Sequence, residues 1–316
     1  MGLGDHMMAL GEAWAARQRD PSRLVALGDG RRLAPQQAGL DYGLDFLATQ
    51  ADLDAGRPVS WVRNYPGARG YIDYRAMQVD AANAQLRGIA ATRYGRWLMP
   101  LLEPVIAPLL HWRARRYKVK RSLALSGRYR YRDYRPTPAP IVLKPNELEL
   151  AEAVRRAGDF VIVEPSIKAE AARAKQWPVP RYHELALRLS QHIRVVQLSD
   201  PQAPRLDERI ERLSTRSYRE ALACLGAARL YIGAEGGLHH GAAAMGTPAI
   251  VLFGGVTSPA ATGYDGHVNL TGNAGYACGI AVDDCPHCAA AMDSIGVDEV
   301  LGHALRLLGL SQEVRV

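Results

Sequence analysis

Short apolar runs alternate with helical patterns from residue 160 to residue 253, and this alternation restricts the fold more than any other feature of the chain. Phe160-Val161-Ile162-Val163 reads as a buried strand that ends in Glu164-Pro165. Leu185, Leu187 and Leu189, set among Arg and Glu, mark a helix over 180–191. The pattern then gives a strand over 193–198, a helix over 218–227, a strand over 230–232, a helix over 238–245 and a strand over 248–253. Short apolar strands that each lead into a helix lie parallel and are joined by crossover helices. A parallel sheet needs cover on both faces, so this half is expected to be a doubly wound α/β domain.

With 316 residues the chain is long enough for two domains of ordinary size. Four prolines between 136 and 145 place the boundary there, giving a first domain over 1–140 and a second over 141–316. The first half is less regular. Gly2-Leu3-Gly4-Asp5 precedes a helical stretch from His6 to about Arg19, and a strand over 23–27 closes at Gly28-Asp29-Gly30. A glycine-rich turn that opens a helix ordinarily follows a strand, yet only Met1 precedes Gly2. The expectation is therefore a start codon placed late or a domain without its first strand.

The net charge of +7 is concentrated in one place. Twelve Lys or Arg against Glu103 and Asp133 give residues 93–135 a charge of +10, which leaves the rest near −3. A local excess of this size marks a surface that meets something anionic. Within it, 97–112 is nearly all apolar but carries Pro100, Pro104 and Pro108, so it cannot be one straight helix. No apolar run has the length of a membrane span, and no secretion signal opens the chain, so a cytoplasmic protein is expected. Four cysteines are too few for a disulfide framework; Cys224 reads as a small buried hydrophobe.

The segment with the most chemistry runs from Tyr231 to Ala244, where Gly233-Ala234-Glu235-Gly236-Gly237 joins a strand to the helix of Leu238-His239-His240. Open α/β sheets bind ligands at the carboxyl ends of their strands. The free N–H groups of a helix N-terminus favour a phosphate there, and glycines let it approach the backbone. Glu235 and His240 would flank the bound group. The competing reading is a glycine-rich turn with a solvated histidine pair.

Glu235-Gly236-Gly237-Leu238-His239-His240, followed by Gly246-Thr247-Pro248 and 249–254, resembles the donor segment of the heptosyltransferase-like glycosyltransferases of family 9. Many of those enzymes have Asp at the position of Glu235 and Thr at that of Gly236. Ser258-Pro259, Thr262-Gly263-Tyr264 and 267–270 are also similar to the family, as is Glu164-Pro165 followed by Lys175-Gln176-Trp177-Pro178. The resemblance implies a GT-B fold, with two Rossmann-like doubly wound domains facing each other across a cleft. It further implies an inverting, metal-independent transferase with no cofactor, in which Glu235, Gly236, Gly237, His240 and Lys175 bind the donor. Lys175 would meet the charge that gathers on a departing nucleoside diphosphate. The Gly-x-Gly-Asp turn is similar to one whose Asp faces the cleft, which makes Asp5 the expected general base; the alternative for Asp5 is a helix cap. The implied donor is ADP-heptose and the implied acceptor an anionic glycolipid, the lipopolysaccharide inner core.

Residues 93–128 have no counterpart in that family and read as an insertion. Its apolar and basic parts suit the cytoplasmic face of an inner membrane, with aromatic and aliphatic side chains in the interface and cations on the headgroups. Nucleic acid is the rival partner for 113–135, and a plain helical hairpin is the third reading. Cys278, Cys285 and Cys288 are weak metal candidates, being one close pair and a single, although cysteines near this point in relatives sometimes bind iron. Outside these readings stand a family member with another donor or a protein acceptor, and a nucleotide-sugar binder without catalysis.

Overall fold

The computed structural model describes residues 3–28, 32–33, 42–62, 94, 97–98, 101, 136–165, 175–198, 205–257, 259–274 and 286–310. Its main body is a six-stranded, wholly parallel sheet in the order β5-β4-β3-β6-β7-β8. The strands are β3 (Phe160–Glu164), β4 (Arg194–Leu198), β5 (Glu211–Leu213), β6 (Leu230–Ala234), β7 (Ala249–Leu252) and β8 (His267–Leu270). The chain first builds outward from β3 to β4 and β5, then returns to lay β6 against the other side of β3, pairing Glu164 with Gly233. That reversal opens a crevice beyond the carboxyl ends of β3 and β6, the place where open α/β sheets take ligands.

Both faces of the sheet are buried, so its strands are apolar throughout instead of alternating. Val161, Val163, Ile232, Ile250 and Leu252 face α4 (Val179–Leu189) and α9 (Val297–Leu308). Phe160, Ile162, Tyr231, Val251 and Phe253 face the side of α5 (Tyr218–Ala227) and α6 (Gly237–Ala244). On this second side α3 (Pro145–Arg156) is tied to α5 by the buried pair Glu147–Arg219, at 2.6 Å. Cys224 is fully buried on α5, as its pattern indicates. Two short helices, α7 (Pro259–Thr262) and α8 (Pro286–Asp293), complete this half.

The first half contributes α1 (Leu3–Arg19), β1 (Leu24–Leu27), α2 (Gln50–Asp54) and β2 (Val59–Val62), with β1 and β2 parallel. Helix α1 begins at Leu3, so the expected Gly-x-Gly-Asp turn is already helical from its second residue. Met7, Leu10 and Ala13 bury one face of α1 beneath Val25 and Leu27. The same core reaches Ala244 of α6 and Tyr218 of α5. The proline-rich stretch 136–144 has neither helix nor strand. It is pinned at Val142, whose N–H donates to the Tyr42 carbonyl at 3.2 Å and whose own carbonyl accepts from Arg219 at 2.7 Å.

Candidate functional site at the strand ends

Residues 175–178, which lead into α4, and the loop after β6 meet over the crevice. Trp177 anchors the first: it is fully buried, and its indole N–H donates to the Ile295 carbonyl at 3.0 Å. Gln176 ties the same loop back to the strand end by donating to the Pro165 carbonyl at 2.7 Å. Lys175 is thereby held at the crevice, where its ammonium forms an ion pair with the Glu235 carboxylate. Burial is the largest influence and acts to raise the Glu235 pKa, but the Lys175 charge, the adjacent His239 and the hydrogen bonds from Lys175 and Thr262 together outweigh it, and the group is held below the usual carboxylate range.

The second loop is set by hydrogen bonds. Glu235 N–H continues the strand pairing to the Leu252 carbonyl at 3.0 Å. Gly236 N–H donates to His239 Nδ1 at 3.0 Å, so the other ring nitrogen carries the proton and donates to the Thr262 carbonyl at 2.9 Å. The two glycines have different surroundings. A methyl group on Gly236 would come no closer than 3.9 Å to its neighbours, whereas one on Gly237 would lie 3.3 Å from Leu3 Cβ. Gly236 therefore fronts open space, and Gly237 admits the first turn of α1. Farther along α6, a side chain at Gly241 would meet Leu222 at 2.7 Å, which is why the helix carries small residues facing α5.

His239 and His240 are 0% and 1% exposed, so the solvated pair offered as the alternative is not what forms. Burial holds both rings neutral, and for His240 the neighbouring His239, Lys175 and His267 add to the effect. His240 Nδ1 lies 2.9 Å from the Tyr264 hydroxyl. Its ring also lies against α1, since a Cβ on Gly4 would be 2.8 Å from His240 Cδ2 and 3.1 Å from Nε2. Asp5 follows in the same helical turn, but its side chain lies outside the described residues.

Glu235, His239 and His240 place one possible ligand atom each within 4.8 Å of one another. The set suits a metal poorly. Both nitrogens of His239 and one of His240 already have partners, and Lys175 supplies the cation beside Glu235. Of the cysteine cluster, Cys288 is buried at the start of α8, while Cys278 and Cys285 lie outside the described residues. The basic insertion is also outside them except for Tyr94, Trp97, Leu98 and Leu101, whose side chains are exposed.

In the sequence Glu164 stands out only as part of the Glu164-Pro165 motif. Its carboxyl ends β3 at the floor of the crevice and accepts a hydrogen bond from the Tyr231 hydroxyl. Burial pushes its pKa up to about 8, the hydrogen bond offsetting part of the shift. A side chain at Gly233 would collide with that hydroxyl, so the glycine makes room for the pair. An acidic residue directly after four apolar strand residues was the available signal.

The family model for glycosyltransferase family 9 (heptosyltransferase) matches residues 113–283, which include the crevice and both of its loops. No curated protein matches significantly by sequence. Among solved structures, a family 9 glycosyl transferase from Veillonella parvula is similar at 12% identity and a TM-score of 0.56, covering 98% of this chain and 94% of its own. The ADP-heptose lps heptosyltransferase II of E. coli is similar at 16% identity and a TM-score of 0.50, covering 98% and 96%. At these identities the likeness speaks for the α/β fold with parallel sheets.

Proposed function

The chain belongs to glycosyltransferase family 9, and we propose that it is an inverting, metal-independent heptosyltransferase whose donor is ADP-heptose. The observation that carries this reading is the ion pair of Lys175 and Glu235 beside the N-terminus of α6, over the crevice where the sheet reverses. A departing ADP gains negative charge as the sugar bond breaks. Lys175 and the first N–H groups of α6 meet that charge, with Gly236 leaving space for it. These groups take the part that a divalent cation plays in metal-dependent transferases. The donor is carried over from the one named for the similar E. coli enzyme.

Asp5 is the general base of the transfer. The acceptor hydroxyl attacks the anomeric carbon, its proton passes to the Asp5 carboxylate, and ADP leaves with the electron pair of the broken bond. Asp5 lies in the first turn of α1, where the helix dipole favours an ionised carboxylate. The acceptor is an anionic glycolipid of the lipopolysaccharide inner core, whose phosphates suit the +10 charge of residues 93–135. Trp97 and Leu101, exposed at the edge of that segment, suit contact with the cytoplasmic face of the inner membrane. No helix among the described residues is long and apolar enough to cross a membrane.

Transfer from ADP-heptose to a phosphorylated core acceptor, in the presence of EDTA, tests the assignment with Asp5→Asn as the variant. The parent should form product of inverted anomeric configuration. The variant should keep donor affinity and turn over about two to four orders of magnitude more slowly. A variant as fast as the parent removes Asp5 from the chemistry.

A further inference from the structure

We propose that Tyr264 is a positioning residue, its hydroxyl donating to His240 Nδ1 and thereby fixing the ring as the tautomer with hydrogen on Nε2, which faces the first turn of α1. The His240 ring is neutral and 1% exposed, so it carries one N–H, and the partner of one nitrogen decides which. Tyr264 is 5% exposed and lies 2.9 Å from Nδ1 with the rings edge to face. Burial also raises its own pKa, so the hydroxyl keeps its proton.

A tyrosine hydroxyl can give or accept. Either direction leaves one hydrogen and one lone pair over, so the strengths of the groups decide: a phenol O–H donates well and its ring-conjugated oxygen accepts weakly, whereas the bare nitrogen of a neutral imidazole accepts well. The hydroxyl therefore donates to Nδ1. His239, tilted against the same ring with centroids 3.9 Å apart, has its tautomer fixed by backbone groups. His240 has only a side chain to do this.

The free Nε2–H points at the seam between α1 and α6, as its 3.1 Å approach to a Cβ on Gly4 shows. A fixed donor there selects an oxygen of the bound molecule. On the proposed function, which this inference rests on, that oxygen belongs to the diphosphate or the sugar of the donor. The other tautomer would set a nitrogen lone pair against it.

Tyr264→Phe keeps the ring and removes the hydroxyl. The experiment combines nitrogen NMR of histidine-labelled protein near pH 7.5 with ADP titration, the His240 signals being assigned by their absence in His240→Gln. In the parent, Nε2 should resonate as the protonated nitrogen and Nδ1 as the bare one; in Tyr264→Phe both should move toward a mixture. ADP affinity should fall about tenfold in Tyr264→Phe. The same change made on His240→Gln, whose amide donates without a tautomer, should cost nothing further. A parent spectrum with Nδ1 protonated overturns the proposal without any variant, and so does a Tyr264→Phe protein with an unchanged tautomer. A parent that shows the Nε2–H tautomer but binds no ADP would leave Tyr264 in this role and overturn the nucleotide site instead.

Discussion

Glu164→Gln should change how the stability of the protein depends on pH. In the unfolded chain this carboxyl ionises near 4.5, whereas in the folded protein it keeps its proton up to about 8. Between those values the folded state holds one more proton than the unfolded state, so stability falls as pH rises. The slope is about 1.4 kcal/mol per pH unit where the difference is a full proton. Summed over the window this approaches about 5 kcal/mol, and less where water at the half-buried strand end screens the charge. Stability from this group is fully present below the unfolded value and is lost as pH rises through the folded one. Glutamine offers Tyr231 the same acceptor but cannot ionise. Urea unfolding of parent and variant from pH 5 to pH 9 measures the effect, and taking their difference cancels the histidines common to both. The parent should lose stability relative to the variant across the window. Parallel profiles would show that Glu164 titrates normally, and a charged carboxylate would then face the diphosphate at the crevice floor.

Gly4→Ala sets two effects against each other. Alanine gains about 1 kcal/mol of helix propensity, but its methyl group would lie 2.8 Å from His240 Cδ2, and overpacking costs about 1–3 kcal/mol. Thermal unfolding should show a net loss and ADP titration a weaker affinity; a stabilised variant with parent affinity would contradict the α1–α6 contact. Vesicles with acidic lipid should retain the protein at low salt and release it near about 0.5 M, as screening shortens the reach of the basic segment. Equal retention by neutral vesicles would leave the basic cluster without that role.

The second half was legible because a parallel sheet covered on both faces announces itself in apolar runs. Phe160–Glu164 and Tyr218–Ala227 lie where their patterns put them. Strand β5 was not legible: Glu211-Arg212-Leu213 is a polar edge strand, with Arg194 bridging to Glu211 at 2.8 Å. The α1 start was misread because glycine signals a turn from sequence alone, whereas Gly4 serves the approach of His240 to the helix backbone. The crevice could be found from Gly236 and Lys175, but the burial of both histidines depends on Tyr264, Thr262 and α1. Thr262 lies 23 residues from His239 and Tyr264 lies 24 from His240, while α1 is at the other end of the chain, and no local pattern joins them.

The central claim is that Lys175 and the N-terminus of α6 bind a nucleoside diphosphate without metal. Calorimetric titration of ADP into the parent and into Lys175→Ala, both in EDTA, tests it most directly. Losing a charge-assisted contact costs about 1.5–3 kcal/mol, so the variant should bind at least about tenfold more weakly than a parent that saturates. A parent that binds ADP only when a divalent cation is restored, or a variant that binds as tightly as the parent, would contradict the account.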